Sequence, residues 1–200
     1  MFDDYAAWAA HLFSTPIVLI SLVDADLVWF KALVGAAGIP GLVRNESMCS
    51  ATILQNTAVV VSDYKLESRK LIRPDVAQAL GLNFYAGATL IAADGSRLGM
   101  LATIGKEARP SSVVEQAVRA RLAGLVSQTI ELRYRNLTAD ELGEWDDTQR
   151  DLTHALDDNS ALARYLTARN QRIDFDDEAM VQPVVRQLEG VAWILARRLA

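Results

Sequence analysis

Side chains that build covalent or metal-centred sites are scarce in this chain of 200 residues. It contains one cysteine, Cys49, and two histidines, His11 and His154. A single thiol forms no disulfide within the chain and supplies too few ligands for a cysteine-based metal site, so we predict no metal site. An unpaired thiol is typical of the reducing cytosol, which predicts a cytoplasmic protein.

Familiar catalytic motifs are also missing from the sequence. It contains no phosphate-binding glycine loop, no Gly-x-Ser-x-Gly, no His-Glu-x-x-His and no Cys-x-x-Cys. One thiol and two imidazoles leave few groups for nucleophilic or acid–base chemistry. The sequence therefore predicts that the chain is not an enzyme.

Positive charge and long hydrophobic runs are in short supply as well. The formal net charge is −5, which argues against a nucleic-acid partner because phosphate binding needs a basic face. Short basic clusters such as Arg119 with Arg121 are typical of solvated helix faces. The longest apolar run, residues 16–23, is too short to span a bilayer, and we predict no membrane partner. The acidic start is unlike a signal peptide, and Met1 favours a whole protein.

Hydrophobic alternation, in contrast, is clear and predicts two β-hairpins. Residues 17–23 are apolar on both faces, which is typical of a central strand. Residues 28–34 alternate, and the alternation places Trp29 and Phe30 on opposite faces. One of these faces is predicted to carry Val28, Phe30, Ala32 and Val34.

The second hairpin joins residues 83–92 to residues 97–104 through Asp94-Gly95, a strong signal for a two-residue turn. Residues 58–61 are predicted to be a further short strand. Hairpins imply antiparallel pairing, and an antiparallel sheet with helices gathered on one face is an α+β architecture.

Helices are predicted before and after these strands in the sequence. Residues 3–13 form a short helix, and Ser112 opens a long one that ends near residue 136. The long helix carries an apolar stripe of Val114, Val118, Leu122, Leu125 and Leu132. It marks the end of the predicted first domain, residues 1–136.

The composition changes after residue 136. Residues 137–200 contain no convincing strand, and only one isolated apolar pair, Ile173 and Phe175, lies between two helical patterns. The first pattern has an apolar stripe of Leu142, Trp145, Leu152 and Leu156. In the second, Pro183 is predicted to lie in the first turn. We predict a helical C-terminal extension over residues 137–200.

Three segments resemble the GAF domain family, which is related to PAS domains. Residues 15–24 and the following Trp-Phe-Lys-Ala resemble the first hairpin of bacterial GAF domains. Residues 47–53, Ser-Met-Cys-Ser-Ala-Thr-Ile, are similar to the family's Ser-Phe-Cys-x-x-Thr-Ile. Residues 83–90, Asn-Phe-Tyr-Ala-Gly-Ala-Thr-Leu, resemble its Phe-Tyr-Ala-Gly-Ala-Pro-Leu hairpin. The order and spacing match along residues 5–135.

This resemblance implies an antiparallel sheet of five or six strands with the N-terminal and long helices on one face. The other face, closed by long loops, holds a small-molecule pocket in many GAF domains. Such domains occur in sensor kinases of two-component systems, cyclases, phosphodiesterases and transcription regulators. Bilin-binding members use a cysteine outside the Cys49 segment, so the cofactor is unknown and no covalent chromophore is expected.

Candidate ligand-binding residues fall into three groups. Aromatic side chains on a sheet can stack on a planar ligand, and a few polar groups fix its orientation. Cys49 could anchor a chromophore or sense oxidation, or it could simply fill the core as a small hydrophobic side chain. The candidates are the aromatic Trp29, Phe30 and Tyr85, the polar Lys31, Arg44, Thr52, Asp63 and Arg69, and Cys49.

Three functions follow from this interpretation. The favoured one is a sensor domain for signal transduction that binds a small molecule and relays occupancy through helix packing. The alternatives are a ligand-free dimerisation module and, least favoured, a small redox or signalling enzyme of the same fold. We predict a homodimer through helices 112–136 and 138–156 and a signalling protein as a possible partner.

Overall fold

The computed structural model describes residues 1–36, 40–55, 58–67, 81–139 and 142–199. The α-helices within these ranges are α1 (Phe2–Phe13), α2 (Met48–Thr52), α3 (Val113–Thr138), α4 (Leu142–Asn170) and α5 (Glu178–Leu199). The strands are β1 (Ile17–Val23), β2 (Leu27–Val34), β3 (Gly41–Val43), β4 (Val59–Val61), β5 (Phe84–Ile91) and β6 (Arg97–Gly105). None of the described helices is long and apolar enough to cross a membrane.

The six strands form one antiparallel sheet in the order β3-β2-β1-β6-β5-β4. Strand β1 is central, as its two apolar faces predicted, because it pairs with both β2 and β6. The predicted α+β architecture and both hairpins are therefore confirmed. Strand β3 was missed, since its three residues lie in a glycine-rich stretch that predicts a loop.

A β-bulge in β2 changes which side chains share a face. Phe30 pairs with Ser21 and Ala32 pairs with Ile20, so Lys31 is an extra residue with no partner on β1. Bulged residues break the period-two alternation. Val28 and Phe30 consequently pack on one face of the sheet, whereas Ala32 and Val34 pack on the other. The predicted single face for these four residues is wrong for this reason.

Helices α1 and α3 cover one face of the sheet. Helix α1 buries Tyr5, Trp8 and Leu12 at helical spacing. Helix α3 begins where the Ser112 hydroxyl accepts a hydrogen bond from the Glu115 amide, which is an N-cap. Its buried stripe starts one turn later than predicted, because Val114 is 39% exposed.

The C-terminal hairpin of α4 and α5 packs against these helices. Its buried side chains join the same hydrophobic core as α1 and α3, and they include Leu152, Leu156, Val184, Leu188, Val191 and Leu195. The stripes proposed for dimerisation are thus buried within the chain, apart from Val114 and the exposed Leu142. The dimer and the domain boundary at residue 136 stay predictions.

The segment between α4 and α5 corrects one further expectation, the position of Pro183. Helix α5 starts at Glu178, so Pro183 lies inside it and not in its first turn. The reason is an earlier cap, in which the Asp177 carboxylate accepts a hydrogen bond from the Ala179 amide. Ile173 and Phe175 are buried, and the Phe175 ring stacks on Phe13 with centroids 5.7 Å apart.

Candidate functional site

The face of the sheet opposite α1 and α3, here called the loop face, is partly covered by α2. Ser47 caps α2, and its hydroxyl accepts a hydrogen bond from the Cys49 amide at 3.2 Å. The buried side of this short helix contacts β1, β5 and β6. Apolar side chains that meet there include Ile17, Leu19, Met48, Met100 and Ala102.

Three of the predicted site residues meet on the loop face and form what we call the Tyr85 cluster. The Tyr85 hydroxyl lies 3.2 Å from Thr52 Oγ1 and donates toward Cys49 Sγ at 3.7 Å. The Thr52 hydroxyl in turn donates to the Met48 carbonyl at 2.7 Å. All three side chains are buried, so their polar atoms satisfy one another in the absence of solvent.

The thiol and the phenol of this cluster are both held in their neutral forms. Burial raises the pKa of the Cys49 thiol, and hydrogen bonds from Ser21, Tyr85 and Ser47 offset only part of that rise. Burial also raises the pKa of Tyr85 well above its usual value. A protonated, buried thiol is a poor nucleophile. The cluster is therefore suited to hydrogen bonding and not to thiolate chemistry.

The two aromatic candidates on β2 lie in different surroundings. Phe30 is partly buried and packs against the core of the loop face. Trp29 is 47% exposed. Phe30 is thus the aromatic candidate on β2 that packs against the core of the loop face.

Lys31 and Arg44 lie outside the Tyr85 cluster. The Lys31 Nζ lies 5.0 Å from the centroid of the Phe2 ring in α1, on the helix-covered side of the sheet. The Arg44 guanidinium donates to the carbonyls of Asp24 and Ala25, at 2.9 and 3.4 Å, and so holds the turn between β1 and β2.

Asp63 also has a local role. Its carboxylate accepts a hydrogen bond from the Lys65 amide at 2.9 Å and caps the short 3₁₀ helix Tyr64–Leu66. Arg69 lies outside the described residues. A ligand-binding role for any of the nine candidates stays a prediction.

Sequence reasoning missed a buried ion network on the helix-covered side, here called the arginine cluster. Glu115 in α3 accepts hydrogen bonds from Arg119 at 2.6 Å and from both terminal nitrogens of Arg109 at 2.8 and 3.0 Å. Arg119 is fully buried, and its guanidinium lies 4.4 Å from the centroid of the Phe13 ring. The prediction that Arg119 lies on a solvated face is wrong.

The charges in this cluster depend on one another. Burial by itself raises the pKa of Glu115, but the hydrogen bonds and positive charges of Arg109 and Arg119 outweigh it, so the pKa lies below its usual value. The carboxylate is ionised, and it compensates a guanidinium that has no access to water. The spacing of Glu115 and Arg119, four residues apart on one helix, is a sequence signal from which this pair could have been predicted.

Strand β5 connects the two sites. Its adjacent residues Phe84 and Tyr85 extend to opposite faces of the sheet, as neighbours in a strand do. Tyr85 reaches the cluster on the loop face, whereas the Phe84 ring lies 4.2 Å from the guanidinium carbon of Arg109. Arg109 also donates to the Phe13 carbonyl at 3.2 Å. Arg109 therefore links β5 to the C-terminal end of α1 and to the N-terminal end of α3.

Comparison with known proteins finds a partial match to a curated enzyme. No protein-family model matches the chain. A cyclic di-GMP phosphodiesterase of Pseudomonas aeruginosa is 36% identical over 131 residues, which are 65% of this chain. The chain spans about a fifth of that enzyme, 22% of its length.

Structural comparison identifies the fold. The GAF domain of Thermosynechococcus elongatus PixJ, in its blue-light-absorbing form, matches with a TM-score of 0.56 at 17% identity, covering 71% of this chain and 90% of that one. A free methionine-R-sulfoxide reductase of Neisseria meningitidis matches with a TM-score of 0.52 at 18% identity, covering 64% and 74%.

These relatives contradict the prediction that the chain is not an enzyme, because the phosphodiesterase and the reductase are both enzymes. The error came from treating missing motifs as an exclusion, although a motif search recognises only known catalytic patterns. The expectation of the fold was correct. The antiparallel sheet, its helix-covered face and the structural relatives all agree with the expected α+β fold. The chain has the fold of the GAF domains that its sequence resembles.

Proposed function

We propose that the chain is a sensory domain of a cytoplasmic protein that takes part in cyclic di-GMP signalling. A small molecule binds at the loop face, and its binding changes how α3 and the C-terminal hairpin pack. The observation that carries this proposal is the position of Phe84 and Tyr85, which connect the buried polar cluster on one face to the arginine cluster on the other. Similarity to a cyclic di-GMP phosphodiesterase supports the signalling context.

The proposed relay follows the contacts of β5. A ligand that exchanges hydrogen bonds with Tyr85 changes the position of the strand and hence of Phe84. Arg109 packs on the Phe84 ring and is bonded to Glu115, so the N-terminus of α3 follows. Such a ligand acts only through its different affinity for two arrangements of these contacts.

Thermal unfolding tests ligand binding directly. The chain is screened with cyclic di-GMP, cyclic AMP, cyclic GMP and a panel of small metabolites, because a ligand that binds only the folded state raises the melting temperature. We expect one class to stabilise the chain, and we expect Tyr85→Phe to reduce that shift. Tyr134→Phe is the matched control, since Tyr134 is an exposed tyrosine on α3. An equal shift in Tyr85→Phe and wild type would contradict a site at Tyr85.

Cyclic di-GMP turnover tests the signalling link. Radiolabelled cyclic di-GMP is incubated with the chain, and the linear dinucleotide is measured by chromatography.

Binding that alters the hydrogen exchange of α3 and residues 171–177 supports the relay. Cyclic di-GMP that neither binds nor is hydrolysed, while another metabolite stabilises the fold, would limit the proposal to a sensor outside cyclic di-GMP signalling.

The close packing of the described loop face favours a second candidate function, a structural assembly module. Tyr85 and Met100 are fully buried, and the polar atoms of the Tyr85 cluster already have partners. Such a face needs no ligand for its stability. If native mass spectrometry finds no bound molecule and no compound in the screen raises the melting temperature, assembly becomes the favoured function.

A further inference from the structure

One of the two histidines, His154, lies on the exposed side of α4, away from the proposed sensory site. Its side chain is 81% exposed, and its Nδ1 lies 3.3 Å from Oδ2 of Asp158, one turn further along the helix. Within the described residues the ring makes no other hydrogen bond. The other ring nitrogen, Nε2, is therefore left without a protein partner.

The carboxylate of Asp158 selects one form of this ring. A carboxylate only accepts hydrogen bonds, so the contact places the proton of the neutral ring on Nδ1. The lone pair is then on Nε2, the exposed nitrogen that has no partner. A side chain with a free lone pair, oriented by an adjacent acid, has the arrangement of an activated nucleophile.

Arginine side chains border the same cavity as this histidine. The cavity lies between α4 and α5 and has a volume of about 500 Å³. Its lining includes His154 and three arginines, Arg150, Arg197 and Arg198. The Arg197 guanidinium lies 4.7 Å from the centroid of the Trp193 ring and has no ion-pair partner in the part of the chain that the structure describes. This guanidinium is free to bind an anion.

The carboxylates at the cavity are already engaged. Asp158 is bound to the histidine, and Asp151 accepts a hydrogen bond from Arg198 at 3.0 Å. Arg150 is paired with Asp147 at 2.9 Å. The third arginine is the cation that remains for an incoming group of negative charge. An exposed nucleophile beside a free guanidinium is suited to an electrophile that carries negative charge, such as a phosphoryl group.

We propose that His154 accepts a phosphoryl group on Nε2 from an acyl phosphate, while Arg197 binds the phosphoryl oxygens. Acyl phosphates are the donor class that fits, because their leaving group is a carboxylate, which departs without taking up a proton. The transfer then needs no general acid. This site is separate from the loop face, and its chemistry requires no ligand there.

The transfer balances without a further reactant. The Nε2 lone pair attacks phosphorus and forms the N–P bond, while the bond from phosphorus to the acyl oxygen breaks and both of its electrons leave with the carboxylate. The ring keeps its proton on Nδ1 and becomes positively charged, and the carboxylate of Asp158 stabilises that charge. Arg197 compensates the negative charge that is spread over the three phosphoryl oxygens.

Phosphorylation would also act on the contacts that hold the end of α5. Arg198 donates to Glu144 at 3.1 Å and to Asp151 at 3.0 Å, and so joins the last turn of α5 to the first half of α4. A phosphoryl group on His154 lies in the same cavity as Arg198 and competes with these two carboxylates for its guanidinium. The modification therefore changes how the last turn of α5 is held.

Reaction with acetyl phosphate tests the proposal, and the two histidines of the chain provide a built-in comparison. Phosphorus-31 NMR of the full chain detects the phosphorus–nitrogen bond, and peptide mass spectrometry locates it. We expect label on His154, formed at least about 10-fold faster than on N-acetylhistidine in solution. His154→Gln should remove this label. His11→Gln, the matched control on α1, should leave it unchanged.

Asp158→Asn tests how the ring is positioned. The substitution keeps the shape of the side chain but removes the charge that stabilises the phosphorylated ring, so we expect labelling to slow by about 10-fold or more. Nitrogen-15 NMR of the imidazole should show a larger share of the tautomer that carries its proton on Nε2. Asp157→Asn, at the neighbouring exposed carboxylate, is the matched control and should change neither the rate nor the tautomer.

Arg197→Gln tests the anion-binding group. We expect the concentration of acetyl phosphate that gives half of the maximal rate to rise about 10-fold, because a charged hydrogen-bond donor is lost. Arg186→Gln removes an exposed arginine of α5 that does not line this cavity, and it should leave that concentration unchanged.

Three results would overturn the proposal. The first is a native chain that is labelled at His154 no faster than the same chain unfolded in urea. The second is phosphorus–nitrogen label that persists in His154→Gln. The third is a labelling rate that Asp158→Asn and Arg197→Gln both leave unchanged while circular dichroism shows that each variant keeps its helices.

Discussion

The Phe175 ring stacks on the Phe13 ring at an interplanar angle of 21°, with 5.7 Å between their centroids. This contact packs the segment between α4 and α5 against the C-terminal end of α1. It lies beside the arginine cluster, where Arg119 packs on the same Phe13 ring. A cavity of about 280 Å³ borders Phe13, Phe175 and Glu115. The C-terminal hairpin is therefore anchored to the site where α1 and α3 meet.

Phe175→Ala should destabilise the chain, because the truncation removes a buried ring and its stacking partner. We expect a loss of about 3 kcal/mol in the free energy of unfolding, near the low end for buried phenylalanine. Urea denaturation followed by circular dichroism measures it. Tyr134→Ala, which truncates an exposed ring, should change the free energy by less than about 0.5 kcal/mol. Equal effects of the two substitutions would contradict an anchoring role for Phe175.

Glu115→Gln should make the free energy of unfolding less dependent on pH in the acid range. The folded-state pKa of Glu115 lies below its usual value, so its ionised form contributes stability in full above the unfolded pKa of about 4.3. That contribution is lost as the pH falls through the folded pKa. We expect Glu115→Gln to cost about 3 kcal/mol at pH 7, because it leaves a buried guanidinium uncompensated.

The measurement is the free energy of unfolding in urea between pH 7 and pH 3. The difference between wild type and Glu115→Gln should narrow below about pH 4, where the carboxylate of the wild type takes up its proton. Glu107→Gln is the matched control, since Glu107 is exposed nearby, and it should follow the wild-type curve. A difference that stays constant across this pH range would contradict the ionised pair.

The Cys49 thiol should react slowly with Ellman's reagent in the native protein. It is buried, and burial raises its pKa, so little thiolate is present and the reagent has no access. We expect one thiol per chain to react at once in guanidinium chloride and the native rate to be lower by orders of magnitude. Immediate reaction of the native protein at neutral pH would show an accessible thiol.

Gly87→Ala should displace Tyr85 within the Tyr85 cluster. A Cβ at Gly87 would lie 2.7 Å from the Tyr85 hydroxyl and 2.8 Å from Met100 Cε, which is too close without movement of both side chains. We expect a destabilisation of about 1–3 kcal/mol, typical of overpacking. Near-ultraviolet circular dichroism should report the displaced tyrosine.

Gly124→Ala provides the contrasting control in the same measurement. Gly124 lies in α3 with open space around the position of a Cβ. Alanine is a better helix former than glycine, so the substitution should stabilise the chain by up to about 1 kcal/mol. Stabilisation by both substitutions would show that the Tyr85 cluster tolerates displacement.

Much of the fold could be predicted because its signals are local. Alternation of side chains and the Asp94-Gly95 turn identified the hairpins, and helical spacing identified α1 and α3. The bulge at Lys31 could not be predicted, since nothing in the amino-acid order distinguishes an extra strand residue from a regular one. Strand β3 was missed because its pairing with β2 depends on tertiary contact and not on its own three residues.

The candidate site was recovered in part. Resemblance to a family selected Cys49, Thr52 and Tyr85 as candidate site residues. The structure places the three side chains in contact. Sequence reasoning missed the arginine cluster, because a charged residue on a helix is usually solvated and its burial depends on distant aromatic partners. Phe13 and Phe84 provide that environment from α1 and β5.

The two outermost strands of the sheet, β3 and β4, have only three residues each, whereas the four strands between them have seven to nine. A long free strand is a template onto which other chains can add by backbone pairing. Here the long strands lie in the interior of the sheet, and each border offers room for very few such bonds. The arrangement leaves little strand edge for edge-to-edge aggregation.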